Sequence, residues 1–283
     1  ENADGTSETL TYDALVLSMG VTSGFWRTPA LETLEQVERS LADVSAELAA
    51  AKSIAIVGGG ATAASSASNL KETYPDKPVT LFFGKRGLLP EYHPKVRAKV
   101  RAQLERQGVD LRPDHRVVMP AGFAGERLTR EPLTFESGQA PFTADAVLWA
   151  VGQQRPNTSF VPAAMLDESG YVKADAQLRV PGFPNVFTVG DVAASDPNRS
   201  SARNNGFLTV AHNIACLFAG REGRMKTFKA APHRWGSVLG VQQSGMRVYA
   251  PTGFSLNIGT FWVKNVLFPF IVKGGIYKGV DET

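Results

Sequence analysis

Short apolar runs recur along the chain, and each one stops at a glycine or a polar turn. The runs lie within residues 12–20, 53–57, 78–83, 144–152 and 185–191. Apolar runs without polar alternation are typical of parallel strands that are buried on both faces. Segments with helical spacing separate most of these runs, so the pattern predicts an α/β fold with a Rossmann-like parallel sheet.

Apolar residues at helical spacing predict helices between the strands. The first helix is predicted to begin at Pro29 with Thr28 as its cap, because proline is favoured at the first helical position. The second spans Pro94–Gln107, and its basic residues are assigned to the solvated face because its apolar residues recur at every fourth position. Another helix is predicted over Gly206–Ala219. Residues 221–283 are rich in glycine and aromatic residues and predict short strands and loops.

A glycine-rich turn follows the apolar run that ends at Val57. Gly58, Gly60 and Ala63 match the G-x-G-x-x-G/A fingerprint of dinucleotide-binding turns. In that fingerprint the first glycine permits a tight turn, the second lets the backbone approach a pyrophosphate, and the small third residue keeps the helix close to the strand. The amides at the start of the helix supply an anion site. The predicted nucleotide-binding residues are Gly58, Gly59, Gly60, Ala61, Thr62 and Ala63.

The end of the next predicted strand indicates which nucleotide binds. A site that prefers NAD places a carboxylate there for the ribose 2′-hydroxyl. Here Phe83 is followed by Gly84, Lys85 and Arg86, so that carboxylate is missing. A basic pair suits the 2′-phosphate of NADPH through charge-assisted hydrogen bonds, and NADPH is therefore favoured over NADH. The alternative is that Lys85 and Arg86 form an ordinary solvated turn.

Composition and charge exclude several classes of function. The 283 residues are 43% hydrophobic and carry a formal net charge of +3, which is too small to indicate nucleic-acid binding. Cys216 is the only cysteine and is expected in the core; the chain has no C-x-x-C pair, and its four histidines show no metal-ligand spacing. The apolar run Val266–Val272 is too short to span a bilayer. We expect a cytoplasmic protein without a bound metal or a transmembrane segment.

Four segments stand in an order that resembles a known flavoprotein family. They are the Tyr-Asp-x-Leu-Val-x-Ser-Met-Gly run at 12–20, the Gly-Gly-Gly turn at 58–60, Trp149-Ala-Val-Gly-x-x-x-Pro-Asn157 and Asn185-Val-Phe-Thr-Val-Gly-Asp191. The chain resembles the two-dinucleotide-binding-domain flavoproteins of the pyridine nucleotide–disulfide oxidoreductase superfamily. Within that superfamily it resembles the apoptosis-inducing-factor-like branch, which includes ferroptosis-suppressor quinone reductases and type II NADH dehydrogenases. The ordered set is more specific than any one of its members.

The resemblance implies a discontinuous FAD-binding domain with an NAD(P)H-binding domain inserted in it. Residues 1–23 then end the first half of the FAD domain, 24–152 form the Rossmann-like NAD(P)H domain, 153–220 return to the FAD domain, and 221–283 form a small C-terminal segment. The one glycine fingerprint in the sequence matches the inserted domain. We therefore expect an N-terminally shortened flavoprotein, or one half of a split one, without its FAD fingerprint.

The resemblance also assigns residues to FAD. Asp191 matches the family's aspartate for the FAD ribitol, and Gly190 permits close approach of the backbone to the cofactor. Otherwise Asp191 is a turn or capping residue. Asn205 and Gly206 stand where the family directs backbone amides at the flavin ring, or they mark an ordinary helix start.

Other positions match the family less closely. Gly152 and Asn157 match its closing loop, with one extra residue between the glycine and the proline, or they are simple turn residues. Ser65 occupies the position where members commonly have a glutamate that faces the nicotinamide and the flavin. This departure removes any proton relay or contact that the glutamate would provide.

The function implied by the resemblance is FAD-dependent NAD(P)H oxidation. Hydride would pass from NADPH or NADH to FAD, and electrons to a small acceptor such as a quinone. The thioredoxin-reductase type is excluded because its C-x-x-C lies in the NADPH domain, which has no cysteine here. The lipoamide-dehydrogenase type is disfavoured because its C-terminal His-Pro motif has no match. The alternative is a non-catalytic nucleotide-binding or interaction protein of this fold without FAD, and homo-oligomerisation is left open.

Aromatic residues are concentrated in the tail of the chain. We expect them to pack the core of a small C-terminal domain. The alternatives are the floor of an acceptor site and a patch that contacts a membrane from one side. These residues are the aromatic Phe261, Trp262, Phe268 and Phe270, together with the aliphatic Ile271.

Overall fold

The computed structural model describes residues 8–22, 32–123, 125–151 and 154–276. The strands in these ranges are β1 (Leu15–Leu17), β2 (Val21–Thr22), β3 (Ile54–Val57), β4 (Val79–Phe82), β5 (Val109–Arg112), β6 (Ala146–Trp149), β7 (Arg155–Pro156), β8 (Val186–Thr188), β9 (Gly236–Gln242), β10 (Gly245–Tyr249) and β11 (Ser255–Ile258). The α-helices are α1 (Leu34–Ala50), α2 (Ala61–Thr73), α3 (Pro94–Arg106), α4 (Phe207–Phe218) and α5 (Thr260–Trp262). Residues Ala202–Gly206 and Val263–Ile276 wind as π-helix, and Ala163–Met165 and Glu222–Arg224 form 3-10 turns.

The chain divides into two compact units. Unit 1 comprises residues 1–22 and 154–232, and unit 2 comprises residues 23–153 and 233–283. Residues 221–283 are expected from the sequence to form a segment of their own, whereas the structure divides them after residue 232. Each part joins the unit with which it shares a core and hydrogen bonds.

A four-stranded parallel sheet forms the centre of unit 2. Its order is β5-β4-β3-β6, and Ile54 of β3 pairs with Val79 of β4 and Ala146 of β6. Strands β3, β4 and β6 are buried at every position, as expected for parallel strands covered on both faces. The β3-α2-β4 and β4-α3-β5 connections confirm the predicted α/β fold. Beside this sheet, Leu133 and Phe135 form isolated bridges with Phe142 and Val117.

Helix α3 forms as the sequence predicts. Its apolar residues Val96, Val100 and Leu104 are fully buried, and Lys95 and Lys99 are exposed. The helix begins at Pro94, and the ring of His93 accepts a hydrogen bond from the Lys95 N–H at 3.2 Å. Proline at the first helical position therefore marks this helix start correctly.

Helix α1 begins later than the sequence analysis predicts. Residues Thr28 and Pro29 lie outside the described residues, and the helix begins at Leu34 with Thr33 as its cap. Thr33 Oγ1 accepts from the Gln36 N–H at 3.3 Å, and the Gln36 side chain accepts from the Thr33 N–H at 2.8 Å. This reciprocal capping box stabilises a start at Leu34, so the predicted start at Pro29 is wrong.

The end of the chain builds an antiparallel sheet of order β11-β10-β9, whose strand β9 packs on α2. Gln242 of β9 is buried, and its Oε1 accepts from the Ser68 hydroxyl of α2 at 2.7 Å. Its amide donates to Asn69 Oδ1 at 2.9 Å and to the carbonyl of Leu239 at 2.8 Å. Tyr249 of β10 is fully buried in the same hydrophobic core as α2 and α3. These contacts explain why residues from 233 onward belong to unit 2.

The tail aromatics do not form the expected core. Among residues 260–274 only Val263 is buried. The expectation of a small packed core is therefore wrong, because these side chains have no apolar layer over them within unit 2. Their exposed fractions are 67% for Phe261, 60% for Trp262, 45% for Phe268, 71% for Phe270 and 53% for Ile271.

Unit 1 holds shorter elements. Strand β1 pairs in parallel with β8, with Leu15 opposite Val186, and β2 pairs antiparallel with β7. Cys216 of α4 is buried, as predicted, in a cluster with Phe187 and Val210. Throughout the described ranges of the chain, no helix is long and apolar enough to cross a membrane.

Candidate functional site

The glycine turn after β3 is defined by close packing. Gly58 has φ of +142°, and a Cβ there would press against the carbonyl oxygen of Ala150, which follows β6. A Cβ at Gly59 would lie 2.8 Å from the carbonyl oxygen of Gly87. Neither position can hold a side chain without moving backbone, so both glycines are required by the fold of the turn.

The next glycine faces open space. A Cβ built at Gly60 meets no atom within 4 Å, and Gly60 caps α2 without any side-chain hydrogen bond. The first turn of α2 carries no acidic residue, and Ala63 within it is fully buried. The helix start therefore offers backbone N–H groups and the positive end of the helix dipole to an anion, beside a backbone that a ligand can approach. This arrangement suits a pyrophosphate at Gly60, Ala61 and Thr62, and the assignment of these residues to a nucleotide stays a prediction.

A cavity of about 390 Å³ opens after β4, at the same edge of the parallel sheet. Lys85 lines it, whereas Arg86 does not line it and instead pairs with Glu91 at 3.1 Å. The structure thus separates two residues that the sequence analysis treats as one basic pair. The lining also includes Arg97 and Arg101 of α3, which the sequence analysis placed on a solvated face. The signal in the sequence is their spacing of four residues, which places both side chains on one face of the helix that follows the basic turn.

The glycine and aspartate after β8 lie at the carboxyl end of a parallel strand in unit 1. Gly190 has φ of +92°, and a Cβ there would meet no atom within 4 Å. Its N–H donates to the Ser201 hydroxyl at 2.8 Å. Asp191 is exposed, and its carboxylate accepts no hydrogen bond from any other residue that the structure describes. A free carboxylate beside an open glycine fits the binding of ligand hydroxyl groups.

Asn205 and Gly206 shape the start of α4. Asn205 has φ of +64° and interrupts the helical path of the preceding π-helical turn. A Cβ at Gly206 would lie 2.5 Å from the carbonyl oxygen of Ser201 and 3.1 Å from Val189 Cγ2. Packing within unit 1 therefore requires glycine at this position, whatever else its backbone binds.

Asn157 connects two segments of unit 1. Its side chain donates to the Met19 carbonyl at 3.1 Å and accepts from the Thr22 hydroxyl at 2.8 Å. Its own N–H donates to the Gly20 carbonyl at 3.2 Å. These bonds give Asn157 a structural role beside β2 and β7, and its assignment to a cofactor stays a prediction. Gly152 lies outside the described residues.

Ser65 lies on α2, about one and a half helical turns after the cap residue Gly60. Its hydroxyl accepts from the Asn69 amide at 3.2 Å. The same Asn69 amide bonds the carbonyl of Leu239 in β9 at 3.2 Å. Ser65 is therefore engaged in the contact between α2 and the antiparallel sheet of unit 2.

Most of the chain matches one known protein family. The profile of the pyridine nucleotide-disulphide oxidoreductase family matches residues 1–215. The chain belongs to this family. Relatives in this family are named oxidoreductases, and the parallel sheet and fingerprint turn of unit 2 agree with the α/β fold of the family.

Curated proteins of the family show moderate similarity. Apoptosis-inducing factor homolog B of Dictyostelium discoideum is 28% identical over 286 residues, which cover 91% of this chain and 71% of that protein. Ferroptosis suppressor protein 1 of Xenopus tropicalis is 27% identical over 232 residues, which cover 79% of this chain and 61% of that protein. The chain thus spans roughly two thirds of the length of these relatives.

A solved structure supports the fold. LpdA of Mycobacterium tuberculosis superposes with a TM-score of 0.59 at 18% identity, over 88% of this chain and 51% of that one. At this identity the similarity shows that the fold is shared. The recognised family and the fold together confirm that the ordered motifs of the sequence mark a pyridine nucleotide–disulphide oxidoreductase.

Proposed function

We propose that this chain binds NAD(P)H at the turn after β3 and takes part in a flavoprotein NAD(P)H oxidoreductase. The observation that supports the proposal is the backbone geometry of the glycine turn after β3. Gly58 and Gly59 are excluded from bearing side chains by neighbouring carbonyl groups, while Gly60 leaves open space at an uncapped helix start. Family membership supports the assignment of a pyridine nucleotide to this turn.

FAD is the second group that the family implies. When bound, FAD accepts the hydride and delivers the electrons to the acceptor. The residues after β8 fit the cofactor, because Asp191 offers an unengaged carboxylate for ribitol hydroxyl groups and Gly190 leaves its side of the backbone open. By the family resemblance, the backbone at Asn205 and Gly206 faces the flavin ring, where the positive end of the α4 dipole would favour negative charge on a reduced ring.

The choice of nucleotide and acceptor belongs to the same proposal. The absence of a carboxylate directly after β4, together with Lys85 in the adjacent cavity, favours NADPH over NADH. The acceptor is proposed to be a small quinone-like molecule. A paired cysteine within the NAD(P)H-binding unit would be needed for thiol exchange of the thioredoxin-reductase kind, and the chain has a single cysteine.

The exposed tail supports a peripheral membrane contact, which would bring a lipid-soluble acceptor within reach. Phe261, Trp262 and Phe270 are each at least 60% exposed, and aromatic residues favour the interface between lipid and water. We propose a cytoplasmic protein whose exposed tail is the surface that contacts the membrane.

Two titrations test the proposal. Calorimetry should show that the 283-residue chain binds NADPH, and that Gly60→Val, whose side chain enters the open space beside the turn without meeting protein atoms at its Cβ, weakens this binding at least tenfold. With FAD supplied, NADPH should then reduce a water-soluble quinone. Absence of nucleotide binding would overturn the proposal. Binding of NADPH without any binding of FAD, in a protein confirmed to begin at Glu1, would instead select a non-catalytic nucleotide-binding protein, which Ser65 in place of the family's glutamate favours.

A further inference from the structure

The loop between β4 and α3 is held at both of its ends. Its first part closes as a tight turn through a hydrogen bond from the Gly87 N–H to the Gly84 carbonyl at 2.9 Å. Its last part is fixed to the fingerprint turn, because the Leu89 N–H donates to the Gly59 carbonyl at 2.7 Å. Leu88 and Leu89 are both buried. The loop that carries Lys85 is therefore continuous with the turn that is proposed to bind the pyrophosphate.

Arg97 of α3 fixes the middle of this loop. Its Nε–H donates to the Leu88 carbonyl at 3.0 Å, and Nη2 contacts the Arg86 carbonyl at 3.5 Å. A Cβ at Gly87, whose φ is +77°, would lie 2.8 Å from the same Nη2. The guanidinium group therefore packs directly over Gly87, and glycine there leaves room for it.

The hydrogen bonds of Arg97 leave part of its guanidinium group available to a ligand. A guanidinium group has five N–H donors, and both recorded bonds of Arg97 use only Nε and Nη2. Its Nη1 has no partner among the residues that the structure describes. The side chain is half-buried and lines the cavity, so an anion there would meet a donor that is already held in place.

The other cations near the cavity differ in their engagement. Arg86 pairs with Glu91 at 3.1 Å, and Arg101 pairs with Glu105 at 2.9 Å. Lys85 and Arg97 form no ion pair within the described part of the chain. Asp114, after β5, is the carboxylate on the lining. The unpaired positive charge of this cavity therefore comes from Lys85 and Arg97.

We propose that Arg97, together with Lys85, binds the 2′-phosphate of NADPH in this cavity, and that Arg97 also positions the loop that carries Lys85. The inference rests on the proposed function, and it replaces Arg86 by Arg97 as the second phosphate-binding residue. Arg97 can serve both purposes because its Nε side binds loop carbonyls while its Nη1 side is open to a phosphate oxygen. A guanidinium group fixed in this way distinguishes NADPH from NADH, which has only a hydroxyl group at that position.

The test compares nucleotide affinities of wild type and four variants by calorimetry. Arg97→Ala should weaken NADPH binding by about 30-fold and NADH binding by less than about threefold, as expected for loss of a charge-assisted contact. Arg97→Lys keeps the charge but not the fork, and should lie between wild type and Arg97→Ala. Arg86→Ala, whose guanidinium is engaged by Glu91, and Lys95→Ala, which removes a charge from the exposed face of α3, should each change NADPH binding by less than about threefold.

A fragment probe separates the phosphate contact from the rest of the nucleotide. Adenosine 2′,5′-bisphosphate should bind the wild type more tightly than AMP, and Arg97→Ala should remove this difference. If Arg97→Ala weakens NADPH and NADH equally, or if Arg86→Ala rather than Arg97→Ala removes the preference, the inference is wrong while NAD(P)H binding stands. If the wild type binds neither nucleotide, the proposed function itself fails. Should Arg97→Ala not fold, Arg97→Lys and Lys85→Ala carry the same comparison.

Discussion

The two units contain the same local motif, a buried parallel strand followed by a glycine with positive φ, but the protein packs around it in only one of them. After β3, the φ of Gly58 is +142° and the Ala150 carbonyl fills the place of a side chain. After β8, the φ of Gly190 is +92° and the space beside it is open. Strand β3 lies inside a four-stranded sheet, whereas β8 pairs with β1 alone among the described strands.

The two glycine turns therefore differ in how far contacts within their own unit stabilise them. The turn of unit 2 is built by contacts within the unit, so a change there alters fold and binding together. The carboxylate of Asp191 in unit 1 has no partner that the structure describes, so its removal should alter binding alone. A residue whose contacts are all supplied by the protein is a poor reporter of function, and a polar residue without them is a better one.

The composition of the chain allows the two units to be followed separately. All four tryptophans, Trp26, Trp149, Trp235 and Trp262, fall within the ranges of unit 2. The single cysteine, Cys216, is buried in unit 1. Tryptophan emission therefore reports the unfolding of unit 2, and the rate of thiol labelling at Cys216 reports that of unit 1.

The largest effect is expected from Gly58→Ala. The added Cβ meets the Ala150 carbonyl at a φ that alanine rarely adopts, and we expect a loss of about 3–4 kcal/mol in the stability of unit 2 together with loss of NADPH binding. Denaturant titration followed by tryptophan emission measures the first and calorimetry the second. As a control, Gly138→Ala places a Cβ in open space at φ of +79° and should cost only about 1 kcal/mol. Equal losses for both variants would show that packing at Ala150 does not matter.

The next effect concerns the buried bonds between β9 and α2. Gln242→Leu leaves the Asn69 amide oxygen without its partner and the Ser68 hydroxyl with only Gln107 Oε1 as acceptor, and should destabilise unit 2 by about 2 kcal/mol. Gln243→Ala, at the exposed neighbouring position, should change stability by less than about 0.5 kcal/mol. Tryptophan emission should shift while the labelling of Cys216 stays unchanged. A large loss at Gln243 instead would locate the attachment of the antiparallel sheet elsewhere.

Asp191→Ala tests the turn after β8 in unit 1, where the carboxylate has no partner that the structure describes. We expect FAD affinity to fall by about 10- to 30-fold, since hydroxyl–carboxylate bonds are lost, while the labelling of Cys216 shows no loss of stability. Equilibrium dialysis against FAD measures the affinity. Asp167→Ala is the contrasting variant, because the Asp167 carboxylate accepts from the Ser169 and Tyr171 N–H groups at 2.9 Å each and serves the fold. If Asp191→Ala destabilises unit 1 and leaves FAD binding unchanged, Asp191 is a structural residue.

The sequence predicts most of unit 2 because its signals are local. Continuous apolar runs give β3, β4 and β6, and the spacing of Val96, Val100 and Leu104 gives α3. The start of α1 was missed although Thr33 and Gln36 stand at capping-box spacing, because the proline at 29 was the stronger local signal.

The details of the candidate site depend on contacts between distant segments, which spacing alone does not reveal. The separation of Lys85 from Arg86 follows from Glu91, and the role of Gly59 follows from the carbonyl of Gly87. The exposure of the tail aromatics depends on which apolar surfaces meet in three dimensions. The sequence therefore predicts the backbone of the fingerprint turn better than it predicts which side chains line the adjacent cavity.

The smallest effect is expected at the amino ends of strands β3 and β6, opposite the end that carries the fingerprint turn. The Ser53 hydroxyl donates to Asp145 Oδ2 at 3.1 Å, and the N–H groups of Ser53 and Lys52 donate to the same oxygen at 2.9 and 3.0 Å. These bonds, led by the Ser53 hydroxyl, hold the pKa of Asp145 below its ordinary value. They connect the strand starts of β3 and β6.

A lowered pKa in the folded state gives stability that is present above the pKa of the unfolded chain and is lost as the pH falls through the folded value. Asp145→Asn should therefore make unit 2 slightly less stable at pH 7, and this difference should disappear as the pH is lowered below about 4. Denaturant titrations from pH 7 to pH 3 with tryptophan emission measure it, and Cys216 labelling should show no difference between the two proteins. A difference that persists unchanged at pH 3 would mean that Asp145 acts through packing rather than through its charge.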